Sequence, residues 1–242
     1  MRVAALLPAY QAAAHLGAVL ERLKAVHPAA DTLVVDDGSR DETRAVAERA
    51  GVRVHSFPAN RGKGHALLEG FRLLGDYDGV VTLDADGQHP PECLPDFVRA
   101  AERGADLALG VRAFTGTMPP IRRIANGVAS GWASWLAGQE VGDSQCGYRL
   151  YGRRLLECTP ITAGRYEVET EVIVRAARLG FRVASVTIPT VYESETSHIS
   201  TMHDVPRILG VLWRLTVEGF SPPAAMRTAT RAGAPHREVA IP

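Results

Sequence analysis

The chain has 242 residues, 46% apolar and 22% charged, with 27 basic and 27 acidic side chains; this is an ordinary globular composition, long enough for one large domain or two small ones. Zero net charge argues against general binding to nucleic acid, and leaves room only for local phosphate patches. Three cysteines without a Cys-x-x-Cys pair argue against a disulfide framework and a zinc site and fit a reducing cytoplasm, while no run of ~18 apolar residues is present to span a membrane.

Residues 3–7 are an apolar run stopped by Pro8. They predict a buried strand and are too short for a signal-peptide core. The spacing then predicts a helix over 13–26, a strand at 33–35, a helix over 42–50, a strand at 52–57, a helix over 66–74, a strand at 80–83, a helix over 94–103 and a strand at 107–109. Short, wholly apolar strands alternating with helices predict an α/β fold: a mostly parallel central sheet with helices on both faces. Residues 114–120, with one glycine and two prolines, read as a mobile loop. Ile121, Ile124, Val128, Trp132 and Trp135 recur at helical steps, which predicts an amphipathic helix over 121–137. A strand at 146–151, a helix over 172–179, a strand at 183–188 and a second amphipathic helix over 205–217 follow, ended by Pro222-Pro223. The small, basic stretch from Met226 reads as a disordered tail.

Ligands of such sheets sit beyond the carboxyl ends of the strands. Two acidic clusters fall there, Asp36-Asp37-Gly38-Ser39 and Asp84-Ala85-Asp86-Gly87-Gln88. Two carboxylates one residue apart at a strand end can reach one hard cation, although a lone Asp-x-Asp also occurs as a solvated turn. A diphosphate leaving group needs that charge neutralised. An EF-hand is excluded, because His89 and Pro95 stand where glycine and glutamate are required. Ser39 and Glu42 match a capping box, and Gly38 suits the turn. That leaves two adjacent acids to explain, with Asp37 a candidate acceptor for a base or ribose. Asn60-Arg61-Gly62-Lys63-Gly64 precedes a helix and suggests phosphate, or merely a helix entry; it is neither a Walker loop nor a dinucleotide fingerprint. Gly110-Val111-Arg112 puts an arginine at a strand end, where its planar fork suits phosphate. Glu167, Glu169 and Glu171 alternate beside a helix, and a solvated face is the simple reading.

In this order the motifs Pro8-Ala9-Tyr10, Val35 to Ser39, Asn60 to Gly64, Asp84-Ala85-Asp86, Gly110-Val111-Arg112 and Asp143 to Tyr148 resemble glycosyltransferase family 2. The resemblance covers about residues 2–210 and points to the polyprenyl- or dolichyl-phosphate mannosyl- and glucosyltransferases. It implies a GT-A-like fold, with a Rossmann-like nucleotide-sugar-binding half at 1–112 and an acceptor half at 113–225 in one domain, before a tail at 226–242. It implies a nucleoside pocket at Pro8, Tyr10, Val35 and Asp37. Lys63, Asp84, Ala85, Arg112 and His198 would serve the rest of the donor, and Asp84, Asp86 and Gln88 would hold Mg²⁺ or Mn²⁺. Asp86, Arg112, Asp143, Gln145 and Glu169 would surround the reacting groups. The chain departs from the family pattern twice. Gln11-Ala12 replaces Asn-Glu, and Ser197-His198 replaces Ser-Lys, which ties diphosphate binding there to protonation of His198.

The expected activity is inverting transfer of a hexose from a nucleotide-diphosphate sugar to a polyprenyl phosphate. A hydroxyl acceptor needs a general base, and only Asp143 and Glu169 offer one, whereas a phosphate is already ionised. The alternatives are a family 2 enzyme acting on a soluble or glycan hydroxyl, a sugar-phosphate nucleotidyltransferase, and a non-catalytic sugar-nucleotide binder. A lipid acceptor implies peripheral contact with the inner face of the cytoplasmic membrane. The expected means are the helices over 121–137 and 205–217, with Trp132, Trp135, Trp213 and Arg214, or a homo-oligomer or separate anchoring subunit.

Overall fold

The structure is a computed structural model that describes residues 1–112, 120–161, 167–189 and 201–218. The expected loop up to residue 119, His198 and the tail from Met226 lie outside the described residues. Seven strands form one sheet: β1 (Val3–Ala9), β2 (Thr32–Asp36), β3 (Arg53–Ser56), β4 (Gly79–Thr82), β5 (Leu107–Arg112), β6 (Arg149–Gly152) and β7 (Val183–Ile188). Their order is β3-β2-β1-β4-β6-β5-β7. Every pairing is parallel except those of β6, which runs antiparallel to both β4 and β5. The helices are α1 (Ala13–Lys24), α2 (Thr43–Arg49), α3 (Lys63–Leu73), α4 (Leu94–Glu102), α5 (Pro120–Ala137), α6 (Arg153–Cys158), α7 (Val168–Arg178) and α8 (Thr201–Val217).

Both faces of the sheet are covered, which is why its strands read as apolar runs. Along β1, Val3, Ala5, Leu7 and Ala9 pack in one core with Leu16 and Leu20 of α1, Ala47 of α2 and Phe97 of α4. Ala4 and Leu6 pack in a second core with Leu67 and Phe71 of α3 and Val172 of α7. The alternation is the two-residue period of a strand, and each buried leucine contributes roughly 1.5–3 kcal/mol. A third cluster joins Ala133 and Leu136 of α5, Val174 of α7 and Leu212 and Leu215 of α8.

The structure corrects four expectations. The late strand begins at Arg149 rather than 146, because residues 143–148 turn their polar groups to α5 and α7 before the sheet is reached. α6 was not predicted; six residues are too few to show a helical period. α7 starts at Val168, not 172, because Glu169 and Glu171 in its first turn are buried rather than solvated. The capping box is not formed: α2 starts after Glu42 without a side-chain cap, and Ser39 Oγ accepts instead from the Gln11 amide at 2.9 Å. In addition, β6 lies beyond Arg112 in sequence yet between β4 and β5 in space, so the sheet does not divide at residue 112.

Candidate active site

The strand order reverses at β1 and β4, the switch point at which such sheets bind ligands. Tyr10, just past β1, presents a ring that is 45% exposed. Pro8 is buried within β1 and lies in register with Val35. Val35 is fully buried, with its side chain in the core that α3 covers. Asp36 and Asp37 are both buried, and their repulsion is answered separately. Asp36 Oδ1 accepts from the Ser39 amide, while the two oxygens of Asp37 accept from the amides of Arg61 and Gly62, each at 2.7 Å. Asp37 is therefore engaged in holding the 60–64 loop. Between them Gly38 has φ +73, and a Cβ there would lie 2.4 Å from the Ala59 carbonyl carbon; only glycine lets the two loops meet. Gln11 completes the tie, its Oε1 accepting from the amides of Arg40 and Asp41.

The 60–64 loop delivers Lys63 at the start of α3. Its Nζ lies 2.6 Å from Asp84 Oδ1 and 2.8 Å from Glu169 Oε1. Burial opposes the charge on this ammonium, but the two carboxylates outweigh burial and raise its pKa. Lys63 thus bridges the Asp84 loop after β4 to the first turn of α7. The backbone of Gly147 covers the cluster: a Cβ there would lie 2.7 Å from Lys63 Nζ and 3.0 Å from both Asp84 Oδ2 and Glu169 Oε1.

Arg112, at the end of β5, binds Asp143 with both prongs, Nε to Oδ2 at 2.7 Å and Nη2 to Oδ1 at 3.2 Å. Asp143 is 1% exposed, and its Oδ1 also accepts from the Gln145 amide. Gln145 Nε2 donates to Ser144 Oγ and to Thr170 Oγ1 of α7. Ser130 of α5 ties in the same loop, its Oγ accepting from the Ser144 amide at 3.0 Å. The polar Asp143 to Tyr148 segment is therefore a rigid wall opposite the Asp84 loop.

The paired aspartates differ in electrostatics. Burial works against ionisation of Asp84, but the Lys63 ammonium prevails and holds its pKa at about 2. Asp86 is pushed upward by burial and then by the charge of Asp84, which outweigh the Gln88 amide accepted by Oδ1 and the pull of His89 and Lys63. Such a carboxylate suits a cation. Among the described residues no group of three or more His, Cys, Asp or Glu side chains could hold one. Asp84 and Asp86, two acids on one loop, are the residues that could share a divalent cation with a phosphate ligand. Ala85 between them is buried.

Sequence reasoning missed His89, Gly147 and Arg149. His89 Nδ1 accepts from the Asp84 amide at 3.0 Å, and Nε2 lies 3.7 Å from Cys146 Sγ. Burial lowers the pKa of this imidazole despite Asp84 and Asp86, so it serves as a neutral brace between two loops. The histidine directly after Gln88 was the available signal, but no spacing rule connects it to Cys146. A cavity of about 290 Å³ between α3 and α6, lined by Leu68, Phe71, Leu156 and Ile161, contains none of these groups.

Residues 5–159 match the sequence profile described as glycosyl transferase family 2. The chain is 36% identical over 203 residues to an undecaprenyl-phosphate mannosyltransferase of Micrococcus luteus, covering 78% of this chain and 83% of that one. It is 34% identical over 202 residues to a polyprenol monophosphomannose synthase of Mycolicibacterium smegmatis, covering 77% and 76%. Its fold is that of glucosyl-3-phosphoglycerate synthase of Mycobacterium tuberculosis, a GT-A glycosyltransferase, with a TM-score of 0.74 at 23% identity over 88% of this chain and 80% of that one; the same enzyme has been solved with Mn²⁺ and uridine diphosphate. The sheet order, the paired aspartates at the switch point and the matched sequence agree, and the chain belongs to glycosyl transferase family 2.

Proposed function

We propose that this protein is an inverting glycosyltransferase that moves a hexose from a nucleotide-diphosphate sugar to a polyprenyl phosphate, with Mg²⁺ or Mn²⁺ as cofactor. Polyprenyl-phosphate specificity of the two curated relatives supports the acceptor class. The observation that carries the choice is the state of the two candidate bases: Asp143 is paired with Arg112, and Glu169 with Lys63. Neither is placed to take a proton from a hydroxyl, and an ionised phosphate asks for none.

Tyr10 supplies a face for the base, over a floor stiffened by Pro8 and by the loop that Asp37 holds. Asp84, Asp86 and Gln88 would hold the cation, which when bound neutralises charge on the diphosphate as it leaves. Lys63 fixes Asp84 for that role. Arg112 and Gln145 edge the acceptor side, from which a phosphate oxygen attacks the anomeric carbon opposite the leaving diphosphate. The sugar–diphosphate bond breaks as the new bond forms, and the configuration inverts.

Among the described residues no helix is long and apolar enough to cross a membrane. Contact with the bilayer would be peripheral, through α5 and α8: among the described residues six large hydrophobics are exposed, Met1, Tyr10, Val128, Trp135, Trp213 and Val217, and the last four lie on these two helices. Trp132 and Arg214 leave the expected contact set: Trp132 Nε1 donates to Thr216 of α8, and Arg214 pairs with Glu171.

Transfer from GDP-mannose and UDP-glucose to undecaprenyl phosphate in detergent, with Mn²⁺, tests the reading. One donor should yield a lipid-linked sugar of inverted anomeric configuration, and excess EDTA should abolish it. Asp86→Asn should cut the rate at least about a hundredfold, since the cation supplies several kcal/mol of charge stabilisation. Its unfolding midpoint should hold or rise, because burial already pushes that carboxyl toward neutrality. Full activity in EDTA would rule out the cofactor, and transfer only to a soluble hydroxyl would rule out the lipid.

A further inference from the structure

Arg149 has no part in the chemistry above, yet it is fully buried in the middle of the sheet. It is the first residue of β6, the single antiparallel strand, and stands opposite Thr82 of β4 and Leu109 of β5. Those strands run on into the Asp84 loop and Arg112. Arg149 shares its side of β6 with Tyr151, which packs in the α7 core. Its guanidinium donates to three backbone carbonyls on two segments of the chain: Nε to Cys146 at 2.7 Å, Nη2 to Ser144 at 2.8 Å and Nη1 to Glu169 at 2.5 Å.

We infer that Arg149 is a positioning residue, a guanidinium clamp that sets the 143–148 wall against the first turn of α7 and so fixes Asp143 and Gln145 relative to that turn. Burying a charge is costly, and an apolar side chain would fill the same space without that cost. The arginine does what an apolar residue cannot. A planar fork with donors on several edges can join carbonyls from two segments at fixed angles, whereas a lysine nitrogen on a flexible stem cannot hold all three in one plane. The joined segments carry the acceptor-side groups. Asp37, Asp86 and the rest of the donor floor receive no hydrogen bond from Arg149. The clamp therefore acts on acceptor placement and turnover, not on donor affinity. This rests on the transferase reading for its kinetic arm alone.

The test compares Arg149→Lys with the wild type. Expected are a donor-induced thermal shift with UDP-glucose or GDP-mannose and Mn²⁺ equal to wild type, a donor KM within twofold, and kcat toward undecaprenyl phosphate lowered tenfold or more with a raised acceptor KM. Wild-type kcat and acceptor KM would overturn the inference, as would loss of donor binding in step with kcat. In Arg149→Lys the amides of 144 and 145 should also exchange faster than in the wild type while those of β1 do not, and unchanged exchange would overturn the clamp; should that variant not fold, Arg149→Gln takes its place with the same readings. If the wild type transfers no sugar to the lipid, the function above fails, while the exchange and donor-binding arms still judge Arg149.

Discussion

Gly147 has no room for a side chain. Its hypothetical Cβ meets an ammonium and two carboxylate oxygens within 3.0 Å, and its carbonyl accepts from Thr82 Oγ1 at 2.8 Å, so the backbone cannot move away freely. Gly147→Ala should cost about 1–3 kcal/mol through overpacking and displace Lys63 from the line between Asp84 and Glu169. We expect transfer to fall at least about tenfold, because a misplacement of ~1 Å near reacting groups is costly. A variant with wild-type melting temperature and turnover would show that the ion cluster tolerates an intruding methyl. The residue scale also explains the adjacent acids at 36 and 37. Neither is surplus, since Asp36 accepts from the Ser39 amide of its own turn and Asp37 from two amides of the 60–64 loop.

Among the elements, α7 has the most consequence. Its first turn places Glu169 toward Lys63, and Glu171 toward Arg175 and Arg214. Glu171 is wholly buried, and Arg214 belongs to α8, so one carboxylate fastens α8 to α7. Removing one partner from a buried pair leaves the other uncompensated; Glu171→Ala should destabilise by about 3 kcal/mol and loosen α8 before the sheet. Hydrogen exchange would show this as faster exchange in Leu212 and Leu215 than in β1. Equal slowing or quickening of both would mean that α8 is held by its apolar contacts alone. A charge pattern of Glu-x-Glu reads as solvent-facing only while the partner cations are unknown, and here they come from residues 63, 175 and 214.

For the whole molecule, the exposed side chains of α5 and α8 are the feature to test. Trp135 and Trp213 are 57% and 64% exposed, and tryptophan favours the headgroup layer. The purified protein should float with anionic liposomes, and the double variant Trp135→Ser, Trp213→Ser should float markedly less while keeping its melting temperature, as surface changes usually do. Wild-type protein that remains wholly in the soluble fraction would point to a second copy or an anchoring subunit on that face.

Much of this was legible in the chain itself. Short, wholly apolar runs between helical stretches specify a sheet covered on both faces, because burial on both sides leaves strands no polar positions. Acids and arginine at strand ends locate the site, because parallel strands deliver their carboxyl ends to one edge. The paired aspartates and Arg112 stand out as strand-end groups, whereas Asp143, Gln145 and Glu169 come only from the family resemblance. What the sequence could not decide was pairing across distance. That Lys63 faces Asp84 and Glu169 follows from α3, the loop after β4 and α7 converging, and that Arg112 engages Asp143, that His89 reaches Cys146 and that Arg149 gathers three carbonyls follows from β6 entering between β4 and β5. The antiparallel insertion brings residues 143–149 beside residues 82–89 and 109–112. A local pattern carries no information about which distant strand will be the neighbour, and that neighbour determines which buried charges are paired.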